Sequence, residues 1–269
     1  MAILLELARR LSEKKDLPHN VLLVFQPAEE TTGGAKDLCA TGVFRSHKVL
    51  AIFGLHLWPQ LPEGVIASRK EEMMSRSCEV SVTITGRSSH IAKAEEGLDA
   101  LAAGVEFYRR AAALEAALPP HLFRLLKFGR MESGTVRNAV SGKTVLLGSL
   151  RAFQDEVFLD LQQGLREIGQ QVQADTGCQV AVHTNDGYPA VWNPDALYDR
   201  VKNLGLPFLE LEKPVMISED FSWYQRHLPA LFFFLGCGPS PALHADNFAF
   251  DESILAKGAA FWKQLAGAF

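Results

Sequence analysis

The apolar and polar positions of the chain alternate with two different periods. Near the start, Leu4, Leu7, Ala8 and Leu11 recur at helical spacing while Glu6, Arg9, Arg10 and Glu13 lie elsewhere, which predicts an amphipathic helix. This helix starts with no capping residue before it, and the expectation is that more chain lies upstream. Val21 to Gln26 is an almost unbroken apolar run that predicts a buried strand, stopped by Pro27, which has no N–H to donate to a ladder. Thr32-Gly33-Gly34 leads into a short predicted helix from Ala35 to Ala40, ended by Gly42. Val49 to Trp58, VLAIFGLHLW, is apolar on both faces, as in parallel sheets covered on both sides by helices. Strand, helix and strand in this order predict a βαβ unit.

The middle of the chain has another character. Glu79 to Thr85 alternates like a strand with one wet face, and Gly97 to Leu118 reads as a long helix. Leu122 to Met131 and Lys143 to Phe153 read as two strands joined through TVRNAVSG. Asp155 to Thr176 is a second long helix, with Leu159, Leu161, Leu165, Ile168 and Val172 mostly on one stripe, and Cys178 to His183 is a last strand. The order β-α-β-β-α-β is that of a ferredoxin-like sandwich.

The tail resumes the first pattern. Pro194 to Leu204 and Ser218 to His227 read as helices, the second with Ser218 as its cap and Glu219 and Asp220 in its first turn. Ala230 to Leu235 is a buried strand and Ser253 to Ala266 a closing helix. The expected architecture is therefore an α/β domain, with a mostly parallel sheet and helices on both faces, made from residues 1–74 and 187–269. It is interrupted by an inserted ferredoxin-like α+β domain over residues 75–186.

Composition narrows the function classes. Of 269 residues, 48% are hydrophobic, enough for a sizeable core and against wholesale disorder. With 27 Lys plus Arg against 31 Asp plus Glu, the net charge of −4 suggests neither a nucleic-acid footprint nor a polybasic membrane face. No apolar run approaches the ~20 residues of a spanning helix, and the first residues lack a basic leader and a cleavage site. Cys39, Cys78, Cys178 and Cys237 are scattered with no CxxC pair, so they are expected to be reduced, mostly buried thiols of a cytoplasmic protein.

Ligands of parallel α/β sheets gather outside the carboxyl ends of the strands. Glu29 and Glu30 follow the run VLLVFQ, His56 lies near the end of VLAIFGLHLW, and His244 follows ALFFFLGCG after a short loop. Adjacent side chains in extended backbone point to opposite sides, so one glutamate can ligate a metal while its neighbour takes a proton from a water beside it. Imidazole with carboxylate suits zinc, manganese, cobalt or nickel better than calcium. Taken singly, Glu29-Glu30 also fits a solvated turn and His56 a hydrogen-bonded core histidine. It is their joint placement with His244 that raises the metal reading. Ser88-Ser89-His90 is not a triad and has no Gly-x-Ser-x-Gly elbow, Gly33-Gly34 is not a phosphate loop, and Arg137-Asn138 and Arg151, though able to grip a carboxylate, by themselves read as surface residues first.

FQPAEETTGGAKDL, GLHLWP, GRSSHIA, ESGTVRNAVSGKTVLLGSLRAF, ISEDFSWY and FFFLGCG…ALHADNF stand here in the order of one family. The sequence resembles the dinuclear-metal amidohydrolases that include N-acyl-amino-acid amidohydrolases, hippurate hydrolases, auxin-conjugate hydrolases and N-acetyldiaminopimelate deacetylases. The resemblance implies a catalytic α/β domain with an inserted lid or dimerisation domain, and hydrolysis of the amide of a small-molecule N-acyl amino acid. It implies Glu29 as general base and Glu30, His56 and His244 as metal ligands. The metals implied are two divalent ions, zinc or manganese before cobalt or nickel. It implies His90 and Asn138 as substrate contacts, Arg151 on the substrate carboxylate, and a homodimer through the lid, with His90 able to serve the partner subunit. Ser218-Glu219-Asp220 matches a family helix start to which no role is assigned.

One departure bears on activity. The family carries, ahead of the helix MAILLELARRL, a Cys-Gly-His-Asp-x-His-like segment with the remaining metal ligands, and this chain begins at Met1 without it. The expectation is a truncated copy with three ligands and impaired chemistry. Two alternatives stand beside the amidohydrolase: a non-catalytic dimerisation or ligand-binding remnant, and a metallopeptidase acting on dipeptides.

Overall fold

The computed structural model describes residues 1–14, 16–30, 33–241, 243 and 245–269. Along the chain, the elements are α1 (Ala2–Ser12), α2 (Ala35–Ala40), α3 (Val43–Ser46), β1 (Ile52–Trp58), β2 (Ile66–Ser68) and β3 (Glu71–Met74). There follow β4 (Arg76–Thr85), a 3-10 turn at Ile91–Glu96, α4 (Ala100–Ala117), β5 (Arg124–Ser133), β6 (Lys143–Ala152), α5 (Asp155–Thr176) and β7 (Gln179–Thr184). The chain closes with β8 (Val191–Asn193), α6 (Asp195–Lys202), β9 (Leu209–Glu210), α7 (Ser222–Gln225), β10 (Ala230–Gly236) and α8 (Ser253–Ala268). These form two compact units, one of Met1–Met74, Val191–Val215 and Glu219–Phe269, the other of Ser75–Ala190 and Met216–Ser218. The second unit runs on to Ala190 because the Ser77 N–H donates to the Tyr188 carbonyl at 3.3 Å. It takes in Met216–Ser218 because the Ser75 backbone N–H donates to the Ile217 carbonyl at 2.8 Å.

The first unit is built on a four-stranded sheet of order β1-β10-β2-β9. β1 and β10 are parallel, from Ile52 beside Ala230 to Trp58 beside Gly236. β10 and β2 are antiparallel, and β2 and β9 are parallel. Every residue of β10 is buried, because both faces are covered. Phe233 packs against Phe261 and Trp262 of α8 at ring distances of 5.1 and 5.8 Å, in a core that also takes Leu7 and Leu11 from α1. On the other face Phe232 meets Phe221 at 5.0 Å, and Phe234 stacks on Trp58 at 4.6 Å. This two-sided burial is the cause of the unbroken run ALFFFLG.

Two expected elements take another form. Val21 to Gln26 makes no ladder among the described residues, so the βαβ unit is not formed; Val21, Leu22 and Phe25 stay 38%, 42% and 47% exposed. Apolar content alone does not make a strand when no neighbouring backbone takes up its N–H and C=O groups. The helix expected from Ser218 shrinks to α7, which begins at Ser222. Glu219 and Asp220 precede it in a tight turn, with Trp223 N–H donating to the Asp220 carbonyl at 2.9 Å.

The second unit is a sheet of order β5-β6-β4-β7, antiparallel throughout, with α4 linking β4 to β5 and α5 linking β6 to β7. This is the ferredoxin-like sandwich. Its core stacks Val80, Val82 and Ile84 of β4 under Phe107 of α4 and Phe158, Leu161 and Leu165 of α5. Asp99 caps α4 by accepting from the N–H groups of Leu101 and Ala102 at 2.9 and 3.1 Å, which sets the helix start later than Gly97. No described helix is long and apolar enough to cross a membrane.

Gly54, His56 and Trp58 share one face of β1, since side chains alternate along a strand. A methyl group built at Gly54 would lie 2.7 Å from Phe221 Cε2 and 2.8 Å from a ring carbon of Phe232. The absent side chain lets Phe221, and with it the turn at Glu219-Asp220, lie against the face that carries His56. Gly54→Val is therefore expected to lower stability by about 1–3 kcal/mol through overpacking, read as a lower urea midpoint. An unchanged midpoint would mean that the Phe221 ring has room to move.

Candidate functional site

Three acidic side chains from distant parts of the first unit converge. Glu29, Glu219 and Asp220 each place one carboxyl oxygen within 4.8 Å of those of the other two. Glu29 is half-buried, Glu219 is 8% exposed and Asp220 is fully buried. The backbone just before Glu29 is unusual, with Ala28 in the left-handed region at φ +60°, a conformation that costs a non-glycine residue roughly 1–2 kcal/mol. The base of this loop is pinched, since a Cβ on Gly34 would lie 2.2 Å from the Pro27 carbonyl oxygen.

Asp220 accounts for how that loop is held. Gln26 Nε2 donates to its Oδ1 and Oδ2 at 2.8 and 2.7 Å. The backbone N–H groups of Gly34 and Ala35 donate to Oδ2 at 2.8 and 3.1 Å. Tyr224 completes the network, its hydroxyl donating to Gln26 Oε1 at 2.6 Å. Burial above all, and then Asp220, push the Tyr224 phenol upward, so it keeps the proton it donates.

His56 projects from the face of β1 on which Phe221 lies, and its Nδ1 is 2.7 Å from the Leu57 carbonyl oxygen. A carbonyl only accepts, so Nδ1 carries the proton and Nε2 is left as the nitrogen with a lone pair to offer, the tautomer found in metal-ligating histidines. Glu30 is exposed and does not join the three-acid group; neither does His56. His244 lies outside the described residues. By residue type, the Glu30 carboxylate and the His56 imidazole are donors that suit a divalent transition metal, while the side chains that gather within 4.8 Å of one another among the described residues are the three acids alone.

In the second unit, His90 and Asn138 are exposed and adjacent, with Ile91 N–H donating to the Asn138 carbonyl at 3.0 Å. His90 Nδ1 accepts from Ala92 N–H at 3.2 Å and so caps the 3-10 turn. Arg151 stands at the other end of the same sheet, opposite Ser77 at the start of β4, with its guanidinium donating to the Met216 carbonyl at 2.6 Å. His90 lies beyond Thr85, and the strand from Ser77 to Thr85 alone spans ~27 Å. Glu219 and Asp220 are the part of the site that sequence reasoning left without a role. Their signals were the family motif ISEDFSWY and two adjacent acids among mostly apolar residues.

The acid cluster distorts the titration of its most crowded member. Burial first, then the charges of Glu29 and Asp220, push the Glu219 carboxyl up to about 9. The folded state then binds a proton that the unfolded state releases above its ordinary value of 4.5. Stability is accordingly highest below that value and declines as pH rises towards 9. Glu219→Gln, studied with a chelator present, is expected to flatten this decline and raise Tm at about pH 8.5 by a few degrees. A variant whose Tm follows the wild-type pH curve would show that Glu219 is not held protonated.

The comparisons with known proteins agree with one another. The chain matches the peptidase family M20/M25/M40 over residues 1–268. It is 34% identical over 248 residues to an N-acetyldiaminopimelate deacetylase of Lacticaseibacillus casei, covering 89% of this chain and 64% of the deacetylase, so it spans a little under two thirds of that relative's length. It is 31% identical over 268 residues to an uncharacterised hydrolase of Staphylococcus saprophyticus, covering 96% of this chain and 69% of the relative. Among solved structures, a dinuclear metal binding peptidase of the M20 family from Bacillus subtilis superposes with a TM-score of 0.81 at 23% identity, covering 98% of this chain and 69% of that one. At that identity the likeness shows the fold, an α/β body with an inserted α+β domain. A match from residue 1 to residue 268, on a fold shared with that structure, makes this chain a member of peptidase family M20/M25/M40.

Proposed function

We propose that the chain carries the centre of a metal-dependent amidohydrolase that cleaves the amide of N-acyl amino acids. The observation that carries this reading is the placement of Glu29. It follows the left-handed Ala28 in a loop held by Asp220, beside a buried acid pair whose turn packs on the His56 face of the sheet. In the proposed site Glu30, His56 and His244 hold the metal, with zinc or manganese the ions that suit these donors. When bound, two such ions would supply the Lewis acidity that polarises the acyl carbonyl and eases the loss of a proton from water. Glu29 takes the proton of the attacking water and gives it to the amide nitrogen as the C–N bond breaks, which releases the free amine. The identity to an N-acetyldiaminopimelate deacetylase supports an amino acid as the leaving amine.

The residues 75–186 expected to form the inserted domain serve in this reading as lid and dimerisation domain, between the catalytic segments 1–74 and 187–269. Here His90 and Asn138 grip the substrate and Arg151 its carboxylate. An N-acyl amino acid is far shorter than the ~27 Å of strand between those two ends, so one copy cannot bring both to the same molecule. That separation supports a homodimer in which the partner subunit supplies one of the two ends. The four free cysteines fit a reducing compartment such as the cytoplasm.

Metal analysis of the purified chain, beside acetate release from N-acetyl amino acids, tests the reading. Glu29→Gln is expected to lower kcat by about 10²–10⁴ while bound metal per chain stays unchanged. A variant that turns over at the wild-type rate would remove Glu29 from the chemistry. A metal-free, inert wild-type chain would favour a non-catalytic binding or dimerisation role, and turnover of free dipeptides alone would favour a peptidase.

A further inference from the structure

We propose that Asp220 is the positioning residue of the loop that carries Glu29 and Glu30, a buried staple and not a metal ligand. Gln26 stands at the entrance of that loop and Gly34 and Ala35 at its exit, and the one carboxyl group of Asp220 accepts from all three. Oδ2 alone accepts three hydrogen bonds, which fills its lone-pair directions, and Oδ1 accepts from the Gln26 amide. Protein donors thus fill Oδ2 and share Oδ1, and the Glu219 carboxyl is hydrogen-bonded to the same group, so the carboxyl is committed to its protein partners ahead of a cation.

Three further observations point the same way. Asp220 is fully buried, so water cannot replace a lost partner. Tyr224, four residues on, grips the other end of the Gln26 amide, so the turn at Asp220 and the helix after it hold the loop entrance twice. Between entrance and exit the loop keeps Ala28 in the left-handed region and a Gly33 N–H to Ala28 carbonyl bond of 2.8 Å, a shape that an alanine leaves unless its flanks are fixed. The segments joined lie 185 to 194 residues apart in the chain, so no local turn chemistry does this work. Asp220 acts through the loop: it sets where the carboxyl of Glu29 stands, and touches no substrate itself.

The kinetic part of this proposal rests on the hydrolase reading, and the structural part does not. The test compares wild type, Asp220→Ala and Asp220→Asn by amide hydrogen exchange, by bound zinc per chain and by hydrolysis of N-acetyl amino acids. Asp220→Ala is expected to speed exchange at Gly34 and Ala35 at least ~10-fold while the amides of β10 keep their protection. Its kcat falls at least ~10-fold with KM within ~2-fold, and its zinc content matches wild type. Asp220→Asn keeps one side-chain oxygen for the two amides and recovers most of the protection and of kcat. Unchanged exchange at Gly34 and Ala35 in Asp220→Ala overturns the proposal, as does a loss of zinc with those amides still protected, which would make Asp220 a ligand. If Asp220→Ala does not fold, Gln26→Ala removes one arm of the network and must loosen the same amides to a lesser degree; wild-type exchange there overturns the proposal equally. A wild-type chain without turnover would defeat the hydrolase reading while the exchange measurements still decide the staple.

Discussion

A fully buried carboxyl group cannot be left without donors, and Asp220 is such a group. Burying an unpartnered polar or charged group is costly enough to rival much of the net stability of a domain. The nearest solution the fold offers is a set of N–H groups more than 180 residues away: the side-chain amide of Gln26 and the backbone of Gly34 and Ala35. Once those groups are committed to Asp220, the two flanks of the loop are tied to one carboxyl group. Pro27 and Gly34 close on each other, Ala28 turns left-handed, and Glu29 arrives beside Glu219. The acidic character of the site follows from this one obligation, because the donors that satisfy Asp220 are the flanks of a Glu-Glu loop.

The apolar framework makes that obligation possible. β10 is buried on both faces, and its second face needs a cover, which Phe221 supplies directly after Asp220. The Phe221 ring can approach β1 this closely only because the strand has no side chain at position 54. The same strand presents His56 two residues on, with Nδ1 tied to the Leu57 carbonyl and Nε2 left to bind. A glycine, a phenylalanine and a carboxylate thus act as one device: the glycine admits the ring, and the ring seats the turn that carries the acid.

The second unit is organised more locally. Its first strand alternates buried and open positions, Asp99 caps α4, and α5 stops at the left-handed Gly177. That is why the ferredoxin-like order could be read from residues 75 onwards with helix α5 placed at its observed bounds. The first unit was harder. Val21 to Gln26 has the composition of a strand but finds no ladder among the described residues, and the helix expected at Ser218 gives way to a turn because its acids serve a distant loop. Both misreadings come from the same source: local pattern reports what a segment can do, while hydrogen-bond partners from elsewhere select what it does.

By itself the sequence determined the two kinds of periodicity, the apolar runs that must be buried, the family motifs, and the candidate chemistry of Glu29, Glu30 and His56. These are properties of residue types and near-neighbour spacing, so they survive without coordinates. Only the tertiary structure decided that Glu219 and Asp220 join Glu29, and that Arg151 lies a strand's length from His90 and Asn138. Each of these depends on which groups meet across the fold, and such meetings are fixed by burial and the satisfaction of polar atoms between segments that the linear order keeps far apart.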